Sequence, residues 1–157
     1  MKKKIALLLS ALILAGVILF CLQALLVPKY MEGKHKEGAL ISKYYDNAGN
    51  NDVIFIGDCE VYENFSPITM WEKYGISSYI RGSAQQLIWQ SYYLLEDIFK
   101  YEAPEVVVFN VLSMKYGEPQ SESYNRLNLD GMRLSPSKIK AVRASMTEDE
   151  DLITYIF

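Results

Sequence analysis

The stretch that decides the fold is Asp52-Val53-Ile54-Phe55-Ile56-Gly57-Asp58-Cys59-Glu60. Four consecutive apolar residues, β-branched or aromatic, are typical of a strand that is buried on both faces of a parallel sheet. The run ends at Gly57, and polar side chains that can react or bind follow at once. Ligands of open parallel sheets bind just beyond the carboxyl ends of the strands. We therefore expect Cys59 to lie at the functional edge of a sheet.

The sequence after this strand alternates between helix and strand signals. Ser66-Pro67 and Gly75 predict a helix over residues 67–74, because serine caps a helix, proline suits its first position and glycine suits its end. Three more signals follow. In chain order they predict a strand, an amphipathic helix and a third strand buried on both faces: residues 77–80, 85–101 and 105–111.

This βαβαβ pattern predicts an α/β fold with a parallel sheet and right-handed crossovers. If the strand order is 2-1-3, the first strand is central. The carboxyl ends of the strands then bring Cys59, Gly82 and Asn110 to one edge of the sheet. We interpret that edge as the candidate site.

The last part of the sequence gives weaker signals. Residues 112–134 are predicted to be a polar loop, and Ser135-Pro136 predicts the start of another helix. Thr147 and Glu150 form a capping-box pattern, which predicts a helix that continues to Phe157 without a stop signal. We therefore expect the sequence to be truncated within an element.

The N-terminus is expected to anchor the chain in a membrane. Residues 5–27 carry no charge and are long enough to span a bilayer. The three lysines before them place the N-terminus in the cytoplasm and the globular part outside it. A cleavable signal peptide is the alternative, although its apolar part is usually shorter. We predict a single-pass anchor over 1–27, a turn-rich linker over 28–51 and an α/β domain over 52–157.

Composition excludes several classes of function. Without the three N-terminal lysines, 13 basic and 19 acidic residues remain, a net charge of −6, so nucleic acid is not an expected partner. Cys21 and Cys59 are the two cysteines, and with one in the bilayer no second thiol supports redox exchange. Phosphate-binding glycine loops and metal-ligand clusters are absent from the sequence, so we expect no cofactor and no metal.

The motifs resemble those of the SGNH (GDSL-type) hydrolases. Gly57-Asp58-Cys59 after the first strand is similar to the family's first block, where Gly-Asp-Ser places the nucleophile. The runs 79–85 and 91–95 look like those of a membrane-anchored group in Gram-positive bacteria. This resemblance covers about residues 52–132. It implies a flavodoxin-like, SGNH-type sheet, of which this chain holds about three strands.

The resemblance also implies roles for the three strand-end residues. Cys59 stands where the family has its nucleophilic serine, Gly82 matches the glycine whose N–H binds an oxyanion, and Asn110 matches the asparagine that completes that hole. These roles agree with the chemistry of acyl transfer. Two departures stand out: cysteine replaces serine, and the family's C-terminal Asp-x-x-His, which supplies the base, is absent.

Each candidate residue also has a structural interpretation. Cys59 can be a packed thiol, Asp58 a cap for backbone N–H groups and Glu60 a solvated turn carboxylate instead of a substrate contact. Asn125 and Arg126 can hold an anionic substrate group or form an ordinary salt bridge. His35, Trp71 and Trp89 are outside the site in our interpretation: the histidine is solvated, and the tryptophans belong to the core or an interface.

Two functions follow as expectations. The first is a membrane-anchored, extracytoplasmic esterase or O-acyltransferase acting on a cell-envelope glycan or teichoic-type polymer, with Cys59 as the attacking group. The second is a catalytically inactive SGNH-like scaffold that binds an envelope polymer or a partner protein.

Overall fold

The computed structural model describes residues 2–26 and 36–152, which belong to two units, an N-terminal helix and an α/β domain. The first unit is helix α1 (Lys2–Leu26). Its segment Lys3–Leu22 has a mean hydropathy of 3.0 and is long and apolar enough to cross a membrane. Near an N-terminus a signal sequence has the same properties. His35 and residues 153–157, the end of the predicted last helix, lie outside the described residues.

The domain is built on a three-stranded parallel sheet of β1 (Val53–Gly57), β2 (Ser78–Gly82) and β3 (Val106–Phe109). The strand order is β2-β1-β3, the order that the sequence analysis took as its condition, so β1 is central. In the register, Gly57 is paired with Gly82, and Ile56 with Phe109. All five β1 residues are buried, which confirms the interpretation of this strand.

The predicted burial of the third strand is wrong. Val106 is 50 % exposed and the rest of β3 is half-buried. Among the described residues, β3 has β1 on one side and no strand on the other. Four apolar residues in a row do not distinguish a central strand from an edge strand, so the sequence pattern alone overestimated the burial.

Two helices follow β1. Helix α4 (Cys59–Asn64) begins directly at the end of the strand and was not predicted. Helix α5 (Pro67–Tyr74) has the predicted bounds: the Ser66 hydroxyl accepts a hydrogen bond from the Thr69 N–H, and Gly75 ends the helix with a φ of +67°. The capping residues therefore decided α5, as expected.

Helix α6 (Ile88–Ile98) is shorter than the predicted 85–101. The residues before it form a tight turn in which the Gln86 side chain accepts from the Ser83 N–H at 3.1 Å. Gln85 has a φ of +54°, which an α-helix does not allow. The Gln90 side chain then accepts from the Leu87 N–H at 2.9 Å and fixes the start of the helix.

The predicted linker is partly folded, which corrects the 28–51 assignment. Residues 36–47 form helices α2 (Lys36–Ser42) and α3 (Tyr44–Asn47). Ile41 and Tyr44 have no exposed surface and belong to the core. Their three-residue spacing is a helical signal that the turn-rich residues 47–51 masked.

The predicted loop 112–134 also contains helices. A short 3₁₀ turn (Leu112–Lys115) precedes α7 (Glu122–Leu129), whose cap is the Ser121 hydroxyl accepting from the Tyr124 N–H. Helix α8 (Pro136–Ser145) follows where its Ser-Pro start signal predicted it.

Thr147 and Glu150, which were predicted to start a helix, lie on either side of a turn. The Thr147 N–H donates to the Glu150 carboxylate at 2.7 Å, but residues 148–149 are not helical.

Apolar clusters lie on both faces of the sheet. One cluster joins Ile54 and Ile56 to Tyr44 and Ile98 of the flanking helices. The other, on the opposite face, consists of Val53, Phe55, Val61 and Ile80. A third cluster packs α6 against α2, α7 and α8: Ile41, Leu94, Leu129, Met132, Ala141 and Val142. Because helices cover both faces of the sheet, a ligand is expected to bind at the carboxyl ends of the strands.

Candidate functional site

Two glycines allow the strand ends to approach each other closely. A Cβ on Gly82 would lie 2.6 Å from the Gly57 carbonyl oxygen, and a Cβ on Gly57 would lie 2.4 Å from Asn110 Cβ. Real Cβ atoms do not come that close. Gly57 also has a φ of +157°, which L side chains rarely adopt. Gly57, Gly82 and Asn110 are therefore packed together at one edge of the sheet, and Cys59 follows Gly57 by two residues.

Asp58 caps the helix that carries Cys59. Its side chain accepts from the Glu60 N–H at 3.1 Å and from Asn110 Nδ2 at 3.1 Å. The residue is 7 % exposed, so this carboxylate belongs to the framework of the edge. The contacts match the backbone-capping interpretation of Asp58.

Asn110 ties the loops after β1 and β3 together. Its backbone N–H donates to the Ile56 carbonyl at 2.8 Å, which extends the ladder of the sheet. Its Nδ2 donates to Asp58, and also to Glu60 Oε2 at 3.4 Å, while its Oδ1 accepts from the Leu112 N–H at 2.7 Å. Both ends of the amide are therefore engaged.

Cys59 is the first residue of α4 and is partly buried. Burial raises the pKa of its thiol, and the negative charges of Asp58, Glu63 and Glu60 raise it further. Both effects favour the uncharged form. The described surroundings therefore keep the thiol protonated at neutral pH and do not generate a thiolate.

We expect the alkylation rate of Cys59 to depend on pH as it does for a thiol whose pKa is raised. In a Cys21→Ala chain, Cys59 is the only cysteine, and its rate should rise only above the pH at which free cysteine reacts. Removing one nearby negative charge in Glu63→Gln should lower that pH. Iodoacetamide labelling followed by mass spectrometry measures both rates.

The matched control is Glu72→Gln, which removes a carboxylate that is not among the main charges raising the pKa of Cys59. It should leave the alkylation profile unchanged. An inflection below that of free cysteine in the parent protein would show that the thiol is activated.

Asn125 and Arg126, the predicted substrate contacts, are buried in α7. The Asn125 side chain accepts from Gln90 Nε2 at 2.5 Å and donates to the Ser145 carbonyl at 3.1 Å. The structure thus places Asn125 in an interior hydrogen-bond network with Gln90 and Ser145.

Arg126 is held by acidic residues of its own helix and of the helix end. It lies 2.9 Å from Glu122 and 3.3 Å from Asp130, one turn before and one turn after it. The i, i+4 spacing of these charges is a helical signal that the sequence interpretation missed. The geometry matches the ordinary salt-bridge interpretation, and a substrate role for Arg126 stays a prediction.

A buried ion pair next to the site was also missed. Arg81, which precedes Gly82, lies 2.8 Å from Asp97 of α6, and neither side chain is exposed. The Arg81 guanidinium also donates to the Tyr45 hydroxyl at 2.7 Å and lies 4.2 Å from the centre of the Tyr44 ring. A charged residue directly after the apolar end of a predicted strand is the signal that could have identified it.

Within residues 2–26 and 36–152, no group of three or more His, Cys, Asp or Glu side chains is placed to bind a metal ion. A comparison of the chain with protein-family models, curated proteins and solved structures finds no match. The fold and site thus define an α/β domain with a three-stranded parallel sheet, a strand-end cluster around Cys59 and an N-terminal apolar helix.

Proposed function

We propose that the chain belongs to a membrane-anchored, extracytoplasmic SGNH-like esterase or O-acyltransferase that acts on a cell-envelope glycan or teichoic-type polymer. The observation that carries this proposal is that the carboxyl ends of β1, β2 and β3 lie at one edge of a parallel sheet, and that Cys59, Gly82 and Asn110 stand at or just after those ends. A flavodoxin-like SGNH domain needs these three positions there. The apolar helix α1 supports the membrane part of the proposal.

In the proposed reaction, Cys59 Sγ attacks the carbonyl carbon of the ester. The bond between that carbon and the alcohol oxygen breaks, the alcohol leaves with a proton, and the acyl group stays on sulfur as a thioester. Water or another hydroxyl then takes the acyl group and restores the thiol. The Gly82 N–H and Asn110 Nδ2 donate hydrogen bonds to the negative oxygen that forms during each attack.

The contacts of Asn110 set a condition on this step. Nδ2 carries two hydrogens, and they point to Asp58 at 3.1 Å and to Glu60 at 3.4 Å. The longer contact, to Glu60, is the weaker one. Binding of the oxyanion therefore requires the Asn110 amide to exchange its hydrogen bond with Glu60 for one with substrate.

The raised pKa of Cys59 sets a second condition. A protonated thiol needs a base to accept its proton during attack, as a serine hydroxyl does. In the proposal that base is the histidine of the family's Asp-x-x-His block, which these 157 residues do not contain.

The second candidate is the inactive scaffold, favoured by the same two observations. Acidic neighbours suppress the thiolate, and the Asn110 amide is already satisfied. In this alternative the strand-end cluster only stabilises the edge, and the domain binds an envelope polymer or a partner protein through other surfaces.

Substitution of Cys59 distinguishes the candidates, in a membrane-reconstituted protein that carries this chain together with the proposed Asp-x-x-His block. With p-nitrophenyl acetate as the probe, Cys59→Ala should lower kcat/KM at least about a hundredfold, because the attacking atom is lost. Cys59→Ser should retain part of the activity. Cys21→Ala is the control and should not change the rate. Hydrolysis that is identical in the parent and in Cys59→Ala would reject the nucleophile and favour the scaffold.

A further inference from the structure

Helix α5 exposes its apolar side chains instead of burying them. Ile68, Trp71 and Tyr74 are 70 %, 62 % and 71 % exposed, and no residue of the helix is buried. Their three-residue spacing puts them on one side of the helix. Phe65, just before the helix, is also exposed. A surface helix of a globular protein normally turns its apolar stripe inward, so this face requires a partner.

An open apolar groove continues this surface. It has a volume of about 550 Å³ and is lined by residues of α2, β2 and the α4–α5 connection, among them Leu40, Phe65, Ile68 and Ile80. β2 is an edge strand of the sheet. The exposed face of α5 and this groove therefore form one apolar surface, which reaches as far as α2.

The chain itself ties this surface to α1. Helix α1 ends at Leu26 and α2 begins at Lys36. Ten residue steps span at most about 35 Å even when fully extended. If α1 lies in a bilayer, α2 is held within that reach of the lipid, and Leu40 of α2 lines the groove. A bilayer is then the large apolar partner that is always within range.

The residue types fit a lipid surface better than a charged partner. Tryptophan and tyrosine are enriched at membrane interfaces, where their rings bridge the apolar and polar layers. The charges beside them include Glu63 and Glu72, with Lys73 as the basic residue of α5. Attraction to anionic headgroups is therefore not available, and contact must come from insertion of the apolar side chains.

We propose that the α5 face, formed by Phe65, Ile68, Trp71 and Tyr74, docks on the surface of the bilayer that holds α1. This inference rests on the membrane anchoring in the proposed function. Cys59 begins α4, and Phe65, which directly follows that helix, is six positions further along the chain, about 9 Å at the rise of a helix. Docking therefore holds the candidate site near the lipid and restricts it to acyl groups close to the membrane surface.

The two tryptophans provide an internal test in the full chain, reconstituted in phosphatidylcholine vesicles that contain brominated lipid. Trp89→Phe leaves Trp71 as the only reporter, and its emission should shift to the blue and be quenched by the bromine atoms. Trp71→Phe leaves Trp89, which is partly buried and donates to the Ser145 hydroxyl at 3.0 Å. The emission of Trp89 should not respond to brominated lipid.

Charge substitutions provide the matched pair of variants, each made in the Trp89→Phe background. Ile68→Glu should abolish the quenching of Trp71 by lipid, because a carboxylate resists insertion. Tyr92→Glu, at a position 58 % exposed on α6, should leave it unchanged. Adding phosphatidylglycerol should weaken the quenching at low salt, because the acidic neighbours repel an anionic surface. Circular dichroism verifies that each variant is folded.

Three results would overturn the docking. Trp71 quenched by aqueous acrylamide but not by lipid would show a face open to water. Protection from both quenchers that depends on the protein-to-lipid ratio would show contact between copies of the chain. Equal lipid quenching in Ile68→Glu would show that the α5 face is not the contact. Extraction at alkaline pH tests the anchor separately: a chain that stays in the vesicles while Trp71 remains unquenched rejects the docking alone.

Discussion

Replacing Asp97 with alanine is expected to destabilise the domain by roughly 3–5 kcal/mol, because the Arg81 guanidinium is left buried without its counter-charge. Arg81 and Asp97 lie 2.8 Å apart, and neither side chain has exposed surface. The Tyr45 hydroxyl donates to the same Asp97 oxygen at 2.7 Å. The cost is large because the interior cannot hydrate the remaining charge.

The ion pair also links separate parts of the fold. It connects β2 to α6, and Tyr45 joins α3 to both, while the Tyr45 hydroxyl accepts from the Arg133 N–H at 3.0 Å. Burial raises the pKa of Tyr45 to about 12, so its hydroxyl keeps its proton at neutral pH. Loss of Asp97 should therefore loosen the end of β2, where Gly82 enters the candidate site.

Urea unfolding of the full chain in detergent micelles, followed by circular dichroism, measures this effect. The control is Lys140→Ala, which breaks the 2.8 Å surface pair with Glu96 and should leave the unfolding midpoint close to that of the unsubstituted chain. A double variant, Arg81→Met with Asp97→Leu, should be less destabilised than Asp97→Ala, because no unpaired charge remains. Equal unfolding midpoints for Asp97→Ala and the parent would contradict the prediction.

Gly57→Ala is expected to cost roughly 3 kcal/mol, from steric overlap together with backbone strain. The new methyl group would lie 2.4 Å from Asn110 Cβ and 3.1 Å from Val61. Asn110 cannot retreat easily, because its backbone N–H is bonded to Ile56 and its side chain to Asp58. The strand ends should separate, and the arrangement around Cys59 should be lost with them.

The same urea titration tests this substitution, with Gly117→Ala as the control. A Cβ added to Gly117 would meet no atom within 4 Å, and its φ is not positive, so the replacement should change stability by less than about 0.5 kcal/mol. Gly82→Ala should resemble Gly57→Ala, since its methyl group would lie 2.6 Å from the Gly57 carbonyl oxygen. If Gly57→Ala unfolds like Gly117→Ala, the close approach of the strands is not a constraint.

Local signals were sufficient for much of the fold. The apolar run 53–56, the Ser66-Pro67 and Ser135-Pro136 helix starts and Gly75 each act within a few residues, and the structure has the expected element at each of them. The alternation of strands and helices also limited the topology to parallel crossovers. The 2-1-3 order was only a condition of the sequence analysis, and the structure decided it.

The position of the candidate site could be predicted from the sequence, but the protonation state of the Cys59 thiol could not. That Cys59, Gly82 and Asn110 lie toward the same edge follows from the parallel orientation of the strands. The acidic surroundings of Cys59 were visible in Asp58 and Glu60, but the effect of Glu63 and of burial depends on α4, which was not predicted. The pKa of a thiol responds to neighbours in space, and those neighbours are known only once the helix is placed.

By itself the sequence determined the parallel α/β core, the apolar N-terminal helix and the strand-end position of Cys59, because these depend on periodicity, length and capping over short distances. Only the tertiary structure decided that Arg81 and Asp97 pair in the interior, that Asn125 is buried and that Trp71 is exposed. Each of these depends on which elements pack together across many residues. A polar residue can be buried when hydrogen-bond or ion-pair partners from distant segments of the chain pack beside it. A local sequence pattern does not specify those partners.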